Sequence, residues 1–353
     1  MRLLMLTRKV DSQDSRASFV SDWLLELAQN LEKLVVICQE KGDTSGLPEN
    51  IEIFSLGKEL GHSKIKQFFR AQKILFKLVK KSDGVLAHQM PIYGVLAGPA
   101  SWLSHKKLIQ WYAHGTVDWR LKLANFFVTE FVTSSADGFR MPTKKPVRVI
   151  GQGINTNKFK IQNSKLKANE EFNILTIGRI SPSKDIESMI KAVYELKEQN
   201  VDNIKLTIIG APATAAGFHY SQNLQSMVEN MNLGNQINFF GGIPHAETIK
   251  HLAQADLFLN LSDTGSLDKT VLEAMAAGCL VLTSNIAYKN ILPPELFTTK
   301  DNPQTLTQKI KELMGLSEQK KEEFKKQLRD EVLAHHNLAD FAKKIVGLYS
   351  NLS

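Results

Sequence analysis

Residues 255–285 read ADLFLNLSDTGSLDKTVLEAMAAGCLVLTSN, a stretch that predicts a strand, a polar loop, a helix and a second strand. The apolar runs Leu257–Leu261 and Leu280–Thr283 predict the strands, and the helix is expected to begin near Asp268. Backbone N–H groups at such a loop and helix start can bind an anion, and Glu273 lies one turn further along. The residues of the loop and helix start that we expect to contact a ligand are Gly265, Ser266, Asp268, Lys269 and Thr270. The pattern fits a site for a nucleotide diphosphate and its ribose, and it also fits an ordinary β-α-β unit whose loop is solvated.

Short apolar strands alternate with amphipathic helices along all 353 residues. Such strands are typical of parallel sheets that helices cover on both faces. Because the chain is too long for one ordinary core and the pattern occurs twice, we predict an α/β protein with two doubly wound, Rossmann-like domains facing each other across a cleft. The expected domains span residues 1–150 and 151–335. Other predicted features are a strand over Phe127–Thr133, a surface loop over Gln162–Glu171 and one long helix over Ser317–Tyr349.

The start of the chain lacks the longer apolar region and the cleavage site of a signal peptide. No run approaches the ~20 apolar residues that are needed to span a bilayer. The two cysteines, Cys38 and Cys279, lie in or beside apolar strands. We therefore expect reduced core cysteines in a cytoplasmic protein.

The excess positive charge lies in the first half of the chain. Residues 1–150 contain 22 lysines and arginines against 14 aspartates and glutamates, whereas the rest of the chain contains 22 of each kind. This asymmetry predicts an anionic partner for the first half: membrane phospholipid, a phosphorylated acceptor or nucleic acid. Nucleic acid is disfavoured because the sequence has no zinc-ligand spacing, no RNP-like aromatic motif and no evident basic recognition helix.

A basic amphipathic helix is predicted over Lys64–Lys81. Its apolar residues are expected on one face, with cations beside them. The apolar set is Ile65, Phe68, Phe69, Leu75, Phe76 and Val79, and the cations are Lys66, Arg70, Lys73, Lys77 and Lys80. Such a helix can pack on a sheet with its lysine stems along the surface, or it can lie on an anionic bilayer at the inner face of the membrane.

Polar residues follow two further predicted strands. Gly178, Arg179 and Lys184 come after the strand that ends at Ile177, where the two cations can neutralise a diphosphate leaving group or can simply be solvated. His114 follows the strand that ends at Tyr112, where its imidazole can hydrogen-bond a sugar hydroxyl or a backbone carbonyl.

The order of these segments resembles the family-4 (group 1) glycosyltransferases of the GT-B fold. The resemblance rests on VIGQGINTNKF (149–159), Gly178-Arg179 with Lys184, Gly210, FGGIP (240–244) and LEAMAAG (272–278). It covers essentially all of the second half, and in the first half only the layout and a few points. It implies that Arg179 and Lys184 bind the donor diphosphate, that Glu273 binds the ribose hydroxyls and that Gly242 and Ile243 line the base. It also implies that the segment 336–353 returns to the N-terminal domain.

The chain departs from the family pattern at two places. The family has Glu-x7-Glu, but Gly265 stands where its first glutamate would be. Asp268 can supply a substitute carboxylate, or it can be occupied as the N-cap of the helix. The loop after the first strand lacks the family's Gly-Gly pair, for which Arg16 or Ser18 can substitute.

The resemblance implies a retaining glycosyltransferase that uses a nucleotide-diphosphate sugar and a glycan or lipid-linked acceptor. Since no Asp-x-Asp metal motif is present and Arg179 and Lys184 can neutralise the phosphates, we expect catalysis without a metal or other cofactor. Three alternatives stay open. They are a GT-B nucleotide-sugar epimerase, a non-catalytic relative that binds a nucleotide sugar, and a scaffold at the membrane surface.

Overall fold

Two all-parallel sheets form the framework of the protein in a computed structural model, which describes residues 1–14, 17–159, 171–263 and 265–350. The chain divides into two units. The first unit combines Met1–Asn155 with His336–Ser353, and the second consists of Thr156–His335. An α/β fold with doubly wound sheets is therefore confirmed.

The first unit contains a seven-stranded sheet. Its strands are β1 (Arg2–Val10), β2 (Lys33–Lys41), β3 (Ile51–Ser55), β4 (Gly84–His88), β5 (Lys107–Trp111), β6 (Glu130–Thr133) and β7 (Val147–Val149), in the order β3-β2-β1-β4-β5-β6-β7. Its helices are α1 (Ser18–Gln29), α2 (Lys64–Leu78), α3 (Pro91–Leu103), α4 (Trp119–Phe127) and, from the end of the chain, α11 (Leu338–Ser350). Successive β1 side chains point to opposite faces, and both faces are covered. Leu3 packs in the core cluster that contains Trp23 of α1, while Leu4 packs in the cluster that contains Leu75 of α2.

The second unit contains a five-stranded sheet. Its strands are β8 (Phe172–Ile177), β9 (Ile204–Ile209), β10 (Ile237–Gly241), β11 (Leu257–Asn260) and β12 (Leu280–Thr283), in the order β10-β9-β8-β11-β12. Its helices are α5 (Ile186–Glu198), α6 (Ala215–Asn230), α7 (His245–Gln254), α8 (Lys269–Ala276), α9 (Pro303–Met314) and α10 (Glu318–His335). The strand order reverses between β8 and β11. In open α/β sheets this reversal opens a crevice outside the carboxyl ends of the strands.

The predicted strand over Phe127–Thr133 is wrong in its first part. Phe127 ends helix α4, and the strand begins at Glu130. The carboxylate of Asp118 caps α4 by accepting from the backbone N–H of Leu121 at 2.9 Å. Leu121 and Ala124 form the buried side of this helix, which the apolar content of the segment concealed.

The single helix predicted over Ser317–Tyr349 is also wrong, because the chain breaks between α10 and α11. Ile154 N donates to the carbonyl of His336 at 2.8 Å, and Leu338 N donates to the carbonyl of Ile154 at 2.9 Å. Asn337 Oδ1 accepts from Ala339 N at 2.8 Å and so caps α11. Helix α11 packs against α1 in the first unit.

Helix α2 buries a stripe that only partly matches the predicted apolar face. Its buried stripe consists of Gln67, Ala71 and Leu75. Gln67 lies inside because its amide donates to the carbonyl of His62 at 2.7 Å. The predicted apolar face is therefore only partly covered. Leu75 and Val79 are buried, whereas the other four predicted members are exposed, namely Ile65, Phe68, Phe69 and Phe76.

The two cysteines, Cys38 and Cys279, are core residues. Both cysteines lie within the described residues and are free and buried. Burial raises the pKa of the Cys38 thiol to about 12.

None of the helices in the described part of the chain is both long and apolar enough to cross a membrane. The loop predicted over Gln162–Glu171 falls outside the described residues, apart from its last residue.

Candidate functional site

A pocket lies at the carboxyl ends of β8 and β11 in the second unit, where the strand order reverses. Its lining includes Gly178, Arg179, Lys184 and Asn260. The structure therefore brings together both cations that the sequence placed after the strand ending at Ile177. The pocket itself has room for about one water molecule, so a ligand would lie over its mouth. There it would meet the side chains of Arg179 and Lys184, at the position where doubly wound sheets bind their ligands.

Arg179 is held by the backbone on either side of it, while its side chain is exposed. Gly178 N donates to the carbonyl of Ile209 at 2.9 Å, and Ile180 N donates to the carbonyl of Ala211 at 3.4 Å. Both partners belong to the end of β9 or follow it. The backbone around Arg179 is thus fixed, while its guanidinium is exposed to solvent and does not have to leave the protein core to meet a ligand.

Gly210 makes this arrangement possible. Its φ of +147° lies in a region that non-glycine residues rarely adopt, and a Cβ there would overlap the carbonyl oxygen of Gly178. Its N–H donates to the carbonyl of Gly241 at 2.8 Å. The ends of β8, β9 and β10 are therefore packed backbone against backbone directly beside Arg179.

We expect Gly210→Ala to lower the free energy of unfolding by at least about 2 kcal/mol, because it adds both backbone strain and overlap. Turnover should fall as well, since the overlap displaces Gly178. Urea unfolding and steady-state kinetics would measure both effects. The matched control is Gly234→Ala, where a Cβ would meet no atom of the described chain within 4 Å. Equal stabilities of the two variants would contradict the close-packing account.

Lys184 belongs to a network that crosses the sheet. Its Nζ lies 2.8 Å from Asp268 Oδ2, and Asn260 Nδ2 donates to the same oxygen at 3.0 Å. Thr283 Oγ1 in turn donates to Asn260 Oδ1 at 3.0 Å. The ends of β11 and β12 thus position the carboxylate that holds Lys184.

Asp185 places Lys184 in the pocket. It has a left-handed φ of +44° and is buried. One carboxylate oxygen accepts from Ser188 N at 3.3 Å and caps α5, and the other accepts from Asp301 N at 2.9 Å. The turn that carries Lys184 is therefore tied both to α5 and to the segment before α9.

The expectation that Asp268 is occupied with backbone amides is wrong. Asp268 takes the N-cap position of α8, but within the described residues its carboxylate contacts Lys184 and Asn260 and no amide of that helix. A charge-assisted contact with an ammonium group is stronger than a neutral amide contact. The substitute-carboxylate interpretation therefore stays a prediction, with the carboxylate facing Lys184.

The loop before α8 contains the residue that replaces the glutamate. Gly265 is buried and has a φ of +68°, a conformation that glycine adopts without penalty. Ser266 is buried too, and its carbonyl accepts from Asn285 Nδ2 at 2.8 Å. Lys269 and Thr270, both half-buried, form the start of α8.

Glu273 contacts a histidine that the sequence did not single out. Glu273 is buried, and its Oε1 lies 2.9 Å from His245 Nε2. His245 begins α7 directly after Gly242, Ile243 and Pro244, of which Gly242 is exposed and Ile243 half-buried. The position of His245 directly after the FGGIP segment (240–244) was the feature of the sequence that could have identified it. The contact connects the predicted ribose residue to the segment predicted to line the base.

The remaining predicted site residues belong to the first unit. His114 is exposed, and its Nδ1 accepts from Thr116 N at 3.1 Å, so a neutral ring carries its proton on Nε2. Ser18 begins α1 and is half-buried. Arg16 lies outside the described residues. In the preceding loop Asp14 Oδ2 lies 2.7 Å from Nζ of Lys9 on β1, a contact that raises the pKa of Lys9.

In the ranges 1–14, 17–159, 171–263 and 265–350, no group of three His, Cys, Asp or Glu side chains could hold a metal ion. Positive charge at the pocket comes from Arg179 and Lys184.

Comparisons with solved structures show the fold. The structure resembles that of Anabaena Alr3699/HepE in complex with UDP, with a TM-score of 0.79, 18% identity and full coverage of both chains. It also resembles the structure described as trehalose-6-phosphate from E. coli bound with UDP-2-fluoro glucose, with a TM-score of 0.76, 10% identity and full coverage of both chains.

Sequence comparisons show the family. The alpha-monoglucosyldiacylglycerol synthase of Streptococcus pneumoniae is 28% identical over 176 residues, which cover 46% of this chain and 38% of that protein. The phosphatidylinositol N-acetylglucosaminyltransferase GPI3 subunit of Saccharomyces cerevisiae is 22% identical over 183 residues, which cover 51% of this chain and 39% of that protein. The matches thus span less than two fifths of these relatives. Residues 157–331, about half of the chain, match the family model described as glycosyl transferases group 1. The chain therefore belongs to the group 1 glycosyltransferases, and its fold is GT-B.

Proposed function

We propose that the protein transfers a sugar from a nucleotide-diphosphate sugar to a glycan or lipid-linked acceptor, with retention of anomeric configuration and without a metal ion. The observation that carries this proposal is the pairing of Arg179 and Lys184 on one pocket of the unit that matches the family. The UDP complexes of structures with the same fold support a nucleotide sugar as the donor.

The chemical task is to release a nucleoside diphosphate. The bond between the anomeric carbon and the diphosphate oxygen breaks, and a bond to the acceptor hydroxyl oxygen forms on the same face. The hydroxyl proton passes to an oxygen of the departing diphosphate. Negative charge collects on the departing diphosphate. Arg179 and Lys184 stabilise that charge directly, and the amides at the start of α8 contribute a partial positive charge.

The rest of the donor is bound by groups on α7 and α8. The carboxylate of Glu273 accepts hydrogen bonds from the ribose hydroxyls, and His245 fixes its orientation. The exposed backbone of Gly242 and the side chain of Ile243 line the base. For the first unit, the role proposed for His114 is a hydrogen bond to a sugar hydroxyl, with the ring oriented by Thr116 N.

Two observations favour a lipid-linked acceptor at a membrane surface. One relative is an alpha-monoglucosyldiacylglycerol synthase, and the other is a phosphatidylinositol N-acetylglucosaminyltransferase subunit. The excess positive charge of residues 1–150 fits an anionic surface on the acceptor side.

A second candidate function is the binding of a nucleotide sugar without transfer. The observation that favours it is Gly265, which leaves the position of the family's first glutamate without a carboxylate. Incubation with a panel of nucleotide sugars distinguishes the two, because only an enzyme releases nucleoside diphosphate during transfer or hydrolysis.

We expect one class of UDP-, GDP- or ADP-sugar to raise the melting temperature of the protein. A ligand at 100 times its dissociation constant adds about 2.7 kcal/mol to the free energy of unfolding. Thermal-shift screening would measure this, with the free nucleosides as controls for base binding alone. Absence of any shift across all three classes at millimolar concentrations, with no diphosphate released, would overturn the proposed function.

A further inference from the structure

An exposed apolar cluster lies on α3 and α4. Its members are Trp102, Leu103, Trp119, Leu123 and Phe126, which we call the α3–α4 cluster. Trp102 is 74% exposed and Phe126 is 78% exposed. Trp119, Leu123 and Phe126 follow one another at spacings of four and three, so they share one face of α4. This face points away from the core that Leu121 and Ala124 join.

Helix α2 presents a second apolar stripe to solvent. Ile65, Phe68, Phe69 and Phe76, the α2 stripe, are all exposed, while Ala71 and Leu75 beside it pack in the core. The rings of Phe68 and Phe69 lie 5.6 Å apart in an edge-to-face arrangement. Exposure of several large apolar residues on one surface marks an interaction site in proteins.

The two apolar surfaces belong to one side of the first unit. Helices α2, α3 and α4 all contribute to the same core cluster, through Leu75, Ala97 and Leu121 respectively. Helix α3 packs on both α2 and α4. At its contact with α4, Gly98 lies against the ring of Phe127. The α2 stripe and the α3–α4 cluster therefore project from adjacent helices on one layer.

This layer is strongly basic. Residues 60–127 contain eleven lysines and arginines and two acidic residues. One is Asp118, whose carboxylate lies 3.8 Å from Arg120, and the other is Asp83. That carboxylate accepts from Arg2 N at 2.7 Å at the edge of the sheet. Within the described part of the chain, no carboxylate forms an ion pair with Lys66, Lys73 or Lys77, all of which are exposed on α2. The charges that flank the apolar residues are thus available to an external anion.

We propose that the α2 stripe and the α3–α4 cluster together dock the protein onto an anionic phospholipid bilayer. Aromatic side chains enter the boundary between headgroups and acyl chains, and the flanking lysines contact anionic headgroups. Two tryptophans in the cluster suit this boundary, since the indole has an apolar body and a polar N–H. A second copy of the chain is a poor occupant, because it would bring a surface of the same charge against this one. All residues of this docking face belong to the first unit, and docking does not depend on the proposed transfer reaction.

Flotation with vesicles tests the proposal. The wild-type protein should float with vesicles of phosphatidylcholine and phosphatidylglycerol at about 0.05 M salt and be released at about 0.5 M, where exposed charges are screened. Vesicles of phosphatidylcholine alone should retain it weakly. A wild-type protein that stays in the unbound fraction with anionic vesicles at low salt would overturn the proposal.

Matched variants locate the docking face. Phe126→Ser should weaken binding at least tenfold, since it removes a large apolar group from the lipid. Lys73→Glu/Lys77→Glu should weaken it by at least roughly 30-fold, because each lysine near an anionic surface contributes about a factor of five. The controls are Phe218→Ser and Lys250→Glu/Lys326→Glu, which alter exposed residues of the second unit. Controls that bind as weakly as the variants would contradict the assignment of this face.

All these substitutions are at exposed positions, so unchanged melting temperatures are expected and would show that each variant is folded. Sedimentation velocity without lipid supplies the remaining outcome. A dimer that Phe126→Ser dissociates would assign the face to self-association and overturn the membrane proposal. The donor-induced thermal shift should be the same in every variant, so failure of docking and failure of the proposed function are distinguishable.

Discussion

Arg179→Ala is expected to lower kcat by about 10²–10³-fold, the usual cost of removing one group that stabilises charge in the transition state. The side chain is exposed at the end of β8, and its backbone neighbours are held by the end of β9. The free energy of unfolding should therefore change by no more than about 0.5 kcal/mol.

Two control variants sharpen this measurement. Arg179→Lys should recover part of the rate, because it keeps the charge and loses the bidentate geometry of the guanidinium. Lys326→Ala removes an exposed cation from α10 and should leave kcat unchanged. Turnover of Arg179→Ala within twofold of the wild type would show that the guanidinium does not serve the departing diphosphate.

Lys184→Ala is expected to have the second large effect, through two causes. It removes a cation from the pocket, and it leaves Asp268 with Asn260 but without its ammonium partner. An uncompensated carboxylate there would repel the donor phosphates. We expect kcat/KM to fall by at least about 10²-fold, with a loss of roughly 1–3 kcal/mol in stability from the broken charged contact.

The double variant Lys184→Ala/Asp268→Asn separates these causes. Removing the negative charge should raise kcat/KM above that of Lys184→Ala while leaving it well below the wild type. Lys300→Ala is a matched control, since Lys300 Nζ lies 2.9 Å from Asp263 Oδ2 in a more exposed pair of the same unit. If the double variant were no more active than Lys184→Ala, repulsion by Asp268 would be excluded as a cause.

Much of the second sheet could be predicted from the sequence. The strand predicted over Leu280–Thr283 agrees with β12 to the residue, and the strand predicted over Leu257–Leu261 is one residue longer than β11. The strand predicted to end at Ile177 is β8. Each of these strands is an apolar run that polar or turn-forming residues bound on both sides. Helices cover the runs in the structure, so the local pattern and the tertiary environment favour the same strands.

The errors lie where distant contacts decide the local structure. The sequence from α10 to α11 has a continuous helical pattern, and the break at His336–Asn337 is set by bonds to Ile154. On α2, the buried side is chosen by the sheet below, which accepts the small Ala71 and the amide of Gln67 in place of the larger phenylalanines. Apolar periodicity alone cannot identify which of two apolar faces is covered.

The candidate site shows the same division. Arg179 and Lys184 could be placed because the segment that carries both of them follows the end of β8. The partner of Lys184 could not, since Asp268 is 84 positions away along the chain. His245 was missed for the same reason, because its contact with Glu273 exists only when α7 and α8 are both in place.

The most direct test of the central claim is calorimetric binding of nucleoside mono- and diphosphates to the wild type and to Arg179→Ala/Lys184→Ala. The nucleoside is the one that gives a thermal shift with its sugar conjugate. The account predicts that the wild type binds the diphosphate at least tenfold more tightly than the monophosphate, and that the double variant binds the two equally. A double variant that kept the full preference for the diphosphate would contradict the claim that these two side chains take up the charge of the leaving group.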